Sequence, residues 1–555
     1  MLKGHPRGLY VAFFANMGER FGYYTMLAIF VLYLQAKYGF TAAEAGAYYG
    51  GFLFGIYFLP LLGGIIADKI LGYGKTITLG TIIMFVGYLL LAIPGQAIIY
   101  TVVSLTVISL GTGFFKGNLQ ALVGNMYDDP RYNANRDNAF NIFYMGINIG
   151  AFFAPSAATG ISNYILGKQG LAYDPRIPDL AHKFLNGDTG VRDQLAGLAQ
   201  SQLGRSVNDL AGFCHTYIDT LSGSYNAGFG IAAASMIISF LIFVGFRKYY
   251  KSADITEHQK SKNANLKDQV IVLRPEENRA RLIALFLVFS VVMFFWMAFH
   301  QNGFSMSIFA RDYTANNVSN ITYIFFDLAA FLPLLGALIG LIMLLNNKVH
   351  GRWKLLGGIL LIAGALTCFY VFSGFNTRMP IAPQMFQHFN PIFIVFLTPV
   401  IVGFFTSLRN KGKEPSSPRK IGIGMIITAA GFLILVAASS NLMSPKELEG
   451  GVSETLKSPY WLIGTYFTLT IAELFLSPIG ISFVSKVAPP KFKGLAQGGW
   501  LAATAIGNLM AGLIGYFWDK IELWQFFLIL VVMCSLSAGF IFSILKRLER
   551  ATKGS

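Results

Sequence analysis

The chain has 555 residues, of which 54% are hydrophobic and only 13% charged, against roughly 25% charged in soluble domains. The charges cluster between apolar runs of about 20 residues or more, each able as helix to cross a hydrocarbon core of about 30 Å, and no soluble core accommodates so many. The net charge of +16 therefore reports on membrane topology and not on nucleic-acid binding. The cysteines Cys214, Cys368 and Cys534 have neither metal-ligating nor disulfide spacing.

In chain order, the runs predict fourteen membrane helices. Residues 1–165 hold the first five, at 9–35, 43–67, 76–95, 98–122 and 139–165. The first contains Glu19 and Arg20 and no cleavage site, so it reads as a span and not as a cleavable signal. A polar insert follows at 166–225, with helical periodicity over 191–221, and the sixth span is 226–246. A basic linker at 247–280 leads to the span 281–309. The apolar pair 321–345 and 353–374 comes next, joined by a basic loop at 348–354. Spans 385–408, 421–438, 459–484, 495–517 and 523–545 complete the region 385–545, and 546–555 is a tail.

Twelve spans make two six-helix bundles, a usual transporter plan, so the pair at 321–374 reads as an added transmembrane hairpin. Counting residues at span edges with the adjoining loop, about 30 of the 43 basic residues lie on the N-terminal side of the membrane. Eleven lie on the other side, five of them in the insert. The positive-inside rule then places both termini in the cytoplasm. The expectation is an all-α membrane protein with its insert facing outward.

Ionisable residues inside a span cost about 2.5–3.5 kcal/mol or more, and are functional candidates for that reason. Helical spacing puts Asn16, Glu19, Arg20 and Tyr23 on one broad face, which must line an interior. Lys116, several turns from the inner end of its span, needs an anionic partner, and either Glu19 or a substrate carboxylate would serve. Glu473, Ser477 and Gly480 share a face beside Pro478, which interrupts the hydrogen-bond ladder. Trp296 and His300 are one turn apart, and His300 is either a packing residue or a titrating one. Asp327 reads as a capping or interface charge. Cations on the first bundle opposite an anion on the second would bridge a zwitterion, which favours peptides or amino acids over sugars.

These residues resemble the proton-coupled oligopeptide transporter family of the major facilitator superfamily, in a bacterial form. The resemblance covers both bundles. Glu19-Arg20-Phe21 with Tyr23-Tyr24 resembles a first-span signature. Tyr57-Phe-Leu-Pro60, with the stretch from Gly63 to Lys69, resembles the second span and the loop after it. Phe140 to Gly150, including Tyr144 and Asn148, is the most specific match. Trp296 with Gln301 and Gly303, Asn390-Pro391-Ile-Phe393, and Glu473 to Pro478 resemble the second bundle. The resemblance implies a secondary active importer of di- and tripeptides in the bacterial inner membrane, working by proton symport and alternating access. Arg20 and Lys116 would bind the peptide carboxylate and Glu473, with Ser477 beside it, the amino group. Asn148 and Asn390 would hydrogen-bond the peptide backbone, and Tyr23, Tyr24, Tyr57 and Trp296 would line side-chain pockets. Glu19, Lys116, His300 and Glu473 would carry the proton coupling, with Glu19 exchanging partners with Lys116.

Three positions depart from the family pattern. Asn16 replaces a signature glutamate, Gly117 stands where the family has proline, and His300 replaces a second-bundle glutamate. The first and last put the proton route in question. A related carrier for nitrate, a modified amino acid or a peptide-like drug, or peptide transport with altered coupling, is the alternative. The spans hold no nucleophile–base pair, metal cluster or repeated filter of the kind an enzyme or channel requires. The proton is the expected coupling ion and no other cofactor or metal is expected. The expected partners are the peptide and membrane lipids, with the monomer as the working unit and no nucleic acid.

Overall fold

Several of the helices begin at a side-chain cap. Thr41 and Glu44 form a reciprocal capping box, with Thr41 N donating to Glu44 Oε2 at 2.9 Å. Asp209 accepts from Gly212 N at 2.8 Å, and Asp327 from Ala330 N at 3.0 Å. Such a cap contributes about 1 kcal/mol and fixes where a helix starts. Gly39, with φ of +67°, closes the first helix in the left-handed conformation that glycine adopts without strain.

The computed structural model describes residues 4–256, 275–347, 349–448, 451–489 and 493–553. The middle of the expected linker, at 257–274, and position 348 in the basic loop lie outside them. The long helices are α1 (Arg7–Tyr38), α2 (Ala42–Ile66), α3 (Tyr73–Ala92), α4 (Ile98–Met126), α5 (Arg136–Lys168), α6 (Leu210–Gly245) and α7 (Pro275–Phe299). The rest are α8 (Leu328–Leu345), α9 (Arg352–Ser373), α10 (Phe389–Asn410), α11 (Ser417–Ser439), α12 (Tyr460–Val487), α13 (Lys493–Leu513) and α14 (Leu523–Ser543). Among the described residues, thirteen helices are long and apolar enough to span a membrane. The fourteenth, α1, has 32 residues and a length of about 48 Å at 1.5 Å per residue. It is the polar one, carrying Asn16, Glu19 and Arg20, and all three are buried.

Within the first bundle α1 packs on α5 and α6, α3 on α4 and α6, and α2 on α4. In the second, α11 packs on α12 and α14, α7 on α13 and α14, and α10 on α12. Small residues allow these approaches, as expected where lipid supplies no hydrophobic drive between helices. A Cβ on Gly150 would lie 2.7 Å from the carbonyl of Met17. The bundles meet along α2 and α13, where a Cβ on Gly46 would lie 2.7 Å from the carbonyl of Gly512.

Fourteen crossings leave both chain ends on one side, the terminal face, and residues 169–209 on the other, the insert face. The polar and aromatic ties between bundles lie in the insert half. Arg311 Nη1 donates to Gln35 Oε1 at 2.7 Å, Gln384 Nε2 to Thr159 Oγ1 at 3.1 Å, and Gln387 Nε2 to the Ala28 carbonyl at 3.3 Å. Toward the terminal face, Tyr144 and Met145 of α5 are exposed. The cleft between the bundles is thus closed at the insert face.

The expected insert is shorter than 166–225. α5 runs to Lys168 and α6 starts at Leu210, leaving helices Ile177–Leu185 and Arg192–Leu203 between them. The apolar residues Phe213, Tyr217 and Leu221 bury against this cap, so the sixth span continues past the bilayer as a soluble helix. The hairpin α8–α9 begins at Leu328 and not at 321, because Phe325 and Phe326 turn inward before Asp327 caps the helix. Its helices pack chiefly on each other, with Gly340 against Gly357, and Gly357 is the one buried residue of α9. A two-stranded antiparallel ribbon, β1 (Asn317–Ser319) with β2 (Arg378–Pro380), joins the two ends of this insertion.

Candidate functional site

Half-way along α1, Arg20 forms a two-pronged ion pair with its neighbour Glu19, both bonds at 2.5 Å. Both residues are buried, at 4% and 0% exposure. The guanidinium also lies 4.6 Å from the centroid of the Tyr23 ring. Paired carboxylate and guanidinium satisfy each other, which a buried charge requires.

Lys116 on α4 behaves differently. Its ammonium sits 3.7 Å from the centroid of Tyr57 on α2, and among the described residues no carboxylate lies within 4 Å of it. The expected alternatives for its partner were Glu19 or a substrate carboxylate. In this conformation Glu19 is taken by Arg20, and Lys116 rests on an aromatic face, worth about 0.5–2 kcal/mol. It is half-buried, and so is available to an anion entering the cleft.

Tyr57 couples the two bundles. Its other neighbour is His300 of the second bundle, with ring centroids 6.0 Å apart, edge to face. His300 in turn meets Trp296 at 5.4 Å. There α7 tightens into a single 3₁₀ turn, His300–Gly303, before resuming as Ser305–Asp312. The Tyr49 hydroxyl donates to the His300 carbonyl at 3.1 Å, replacing a partner that the tightened turn loses. Among the described residues, buried Trp296 Nε1 and His300 Nδ1 have no partner. A buried polar atom without a partner costs about 1–3 kcal/mol, which is consistent with a group that acquires one during the working cycle. His300 is 8% exposed, more enclosed than a cavity-lining ring one turn from Trp296 would be.

The anionic pole is on α12. Glu473 Oε2 accepts from Asn390 Nδ2 of α10 at 2.9 Å, and the same amide reaches Thr470 Oγ1 at 3.1 Å. Both Glu473 and Asn390 are half-buried. Tyr24 lies within electrostatic reach of Arg20, Glu19 and Glu473, and so does Tyr57. The positive pole of one bundle and the negative pole of the other therefore face a shared space.

Other expected residues stand apart. Asn148 donates to the Tyr144 carbonyl of its own helix at 3.3 Å. Ser477 is half-buried one turn beyond Glu473. Pro478 does not break α12, which is continuous from Tyr460 to Val487, because a helix tolerates one missing hydrogen bond when neighbours pack it. Gly480 faces the Trp500 ring, which a Cβ there would strike, so it serves packing. Asp327 caps α8 as expected. Tyr23 is 2% exposed and packs on Arg20 and Tyr24, so in this conformation it does not line an open pocket. Tyr49 and Thr470 are additions. The signal for each was spacing, eight residues before Tyr57 and three before Glu473, on the same helix faces. Among the described residues no cluster of His, Cys, Asp or Glu could hold a metal ion.

A family model described as the POT family matches residues 74–273 and 367–526. The unmatched stretch between them holds α7, α8 and most of α9. The chain is 27% identical over 537 residues to the peptide transporter YePEPT of Yersinia enterocolitica, covering 92% of this chain and 88% of that one. It is 25% identical to dipeptide and tripeptide permease B of Xenorhabdus bovienii, covering 91% and 86%. Among solved structures it is similar to a peptide transporter POT in complex with sulfate, with TM-score 0.66, 22% identity and coverage of 99% and 96%. It is similar also to a POT family transporter in complex with 5-aminolevulinic acid, with TM-score 0.67, 19% identity and coverage of 99% and 98%. Two six-helix bundles with one added hairpin, a charged cleft between them and a family match over most of both bundles lead to one assignment: the chain belongs to the POT family, as a multi-pass transporter of a bacterial inner membrane.

Proposed function

We propose that this chain imports di- and tripeptides by proton symport, the two bundles rocking about the cleft. The observation that carries the reading is the separation of charge, with Lys116 on the first bundle, which has no carboxylate partner among the described residues, and Glu473 on the second. A free peptide presents a carboxylate at one end and an ammonium at the other, and would satisfy both. Lys116 takes the carboxylate, with Arg20 lending potential from its pair with Glu19. Glu473 takes the ammonium while Asn390 holds its other side. Asn148 and Asn390 offer amides to the peptide backbone, and Tyr24, Tyr57 and Trp296 bound the side-chain space. The names of the relatives support a peptide substrate. With both termini in the cytoplasm, the insert face is outside, and the conformation described is closed to the exterior.

Proton movement in this reading runs through His300. Near pH 7 an unperturbed imidazole titrates around 6.5, Asn16 carries no proton, and Glu19 and Glu473 are engaged by Arg20 and substrate. The imidazole of His300, whose Nδ1 has no partner among the described residues, takes the proton when the cleft admits water. Uptake of labelled dipeptide into proteoliposomes, with and without an inward proton gradient, tests the whole. Concentrative uptake that needs the gradient supports it, and gradient-independent uptake refutes symport. In His300→Gln, accumulation should fall while peptide counterflow survives; unchanged accumulation from pH 5.5 to 7.5 would overturn the role of His300.

One observation favours a second reading. A solved relative binds 5-aminolevulinic acid, a zwitterion that is not a peptide. The same two poles would hold such a molecule, so competition by 5-aminolevulinic acid against dipeptide decides between a peptide-selective and a broader zwitterion carrier.

A further inference from the structure

A second histidine is buried where the bundles meet, two residues before Asn390 of the charged cleft. His388 ends the 3₁₀ turn Pro383–His388 that feeds α10. It is fully buried. Its Nε2 lies 3.0 Å from the carbonyl of Phe325, so Nε2 carries the hydrogen and donates. Nδ1 is then a bare lone pair, and among the described residues it has no partner. Rings surround it: Phe389 at 4.7 Å, Phe326 at 5.9 Å, and Phe152 of the first bundle at 6.3 Å.

The same turn carries two of the ties that close the cleft at the insert face. Gln384 donates to Thr159 of α5, and Gln387 reaches both the Ala28 carbonyl and Ser307 Oγ, the latter at 3.1 Å. Gln384 Oε1 is also buried, with no partner among the described residues. Parting the bundles on this side removes Phe152, Thr159 and Ala28 from the turn and lets water reach it.

The charged groups on the packed elements are few and occupied. Asp327, next to Phe326, caps Ala330. Arg311 and Asp312, at the end of the helix that bears Ser307, pair with each other. No charged group among the described residues contributes to the electrostatic surroundings of His388. A proton on Nδ1 would thus be buried with no acceptor and no counter-ion. Burying an unpaired charge costs several kcal/mol, and a cation–π contact with phenylalanine returns about 0.5–2 kcal/mol, so in the closed cleft the ring is neutral.

We propose that His388 is a proton-binding site of the transport cycle, empty while the cleft is closed at the insert face and filled when it opens there. The proton comes from water on the insert side and forms a bond to the Nδ1 lone pair. It must return to cleft water before the ring re-enters its aromatic enclosure. Acid on the insert side therefore holds the cleft open toward that side. The proposal rests on alternating access as read above, and concerns a residue separate from His300.

The test uses the full chain in proteoliposomes, with spin labels on cysteines placed at the exposed positions Thr189 and Glu454 and the three native cysteines replaced. Pulsed dipolar spectroscopy reads the fraction of molecules open at the insert face. For one imidazole that titrates near 6.5 when solvated and stays neutral when enclosed, the open-to-closed ratio rises about tenfold between pH 7.5 and 5.5. Both arms carry His300→Gln, which removes the other imidazole assigned a proton. With His388→Gln added, which keeps a donor for the Phe325 carbonyl and cannot titrate, the ratio should be flat. A tenfold rise that persists with His388→Gln overturns the proposal, as does a flat ratio where His388 is retained. Should His388→Gln fail to fold, hydrogen exchange at the imidazole C2 of native His388, read by mass spectrometry, takes its place. A rate that stays uniformly slow and pH-independent from 5.5 to 7.5 likewise overturns it. Failure of symport itself would show separately, as gradient-independent uptake by the native protein.

Discussion

Replacing Glu473 by glutamine isolates the negative pole of the cleft. The carboxylate is half-buried and accepts from Asn390 at 2.9 Å, and glutamine keeps both its shape and an oxygen for that bond, so the fold should survive. What disappears is the charge that faces the substrate ammonium. Removing one partner of a desolvated charge pair costs about 2–5 kcal/mol. The retained amide oxygen places the loss at the lower end, about 2–3 kcal/mol. At 1.4 kcal/mol per tenfold, the half-saturating concentration of a free dipeptide should rise about 30- to 150-fold. The assay is competition against labelled dipeptide in proteoliposomes by a free and an N-acetylated peptide of the same sequence. The native protein should prefer the free peptide by a similar factor, and Glu473→Gln should lose that preference. Equal competition by the two peptides in the native protein, or an intact preference in the variant, would refute the assignment.

Tyr57→Phe keeps the ring beneath Lys116 and should transport nearly as the native protein does, whereas Tyr57→Leu should lower transport efficiency about 2- to 30-fold, the range of a lost cation–π contact; equal behaviour of the two variants would show that the ring does not hold the ammonium. Asp327→Asn should leave uptake unchanged, since asparagine caps as well as aspartate and the hairpin stands outside the cleft; lost uptake with normal membrane insertion would contradict this. Glu414, in the loop between α10 and α11, is held down to about 2 by its bonds to Arg409 and Lys420. A depressed carboxylate stabilises the fold above its unfolded value near 4.5 and ceases to do so as pH falls toward 2. Glu414→Gln should therefore melt below the native protein at pH 7, the gap narrowing below about pH 4.5; a gap constant from pH 6 to 3 would exclude the mechanism.

The fourteen helices were legible because a bilayer demands long apolar runs, and charge confined to loops marks their ends. Glu19, Arg20, Lys116 and Glu473 were legible because charge inside such a run has no bland explanation. The partners were not. Glu19 beside Arg20 reads as a helix face of four residues, and nothing in the spacing says that the two adjacent side chains fold back on each other. Lys116 lies on Tyr57, a partner 59 positions away, set by how closely α2 and α4 approach through Gly63 and Gly113. The tight turn at His300 leaves no mark in hydropathy, and Tyr49 satisfies its carbonyl from the other bundle. α6 outran its expected start because its first turns are amphipathic, with Phe213, Tyr217 and Leu221 buried under the insert, whereas a hydropathy reading stops where alternation begins.

The ribbon between Asn317–Ser319 and Arg378–Pro380 has a consequence for how this chain came to carry its extra helices. Paired strands lie about 4.8 Å apart, so the route of the backbone enters and leaves the detour at almost the same point. From Asn316 to Ile381, whose backbone groups are themselves bonded at 2.7 Å, the path needs nothing from the residues between. A turn joining Ser319 to Arg378 would close the ribbon as an ordinary hairpin and leave every other helix threaded as before. Such an arrangement lets two membrane crossings be gained or shed in one event, always as a pair, so that everything downstream keeps its side of the membrane.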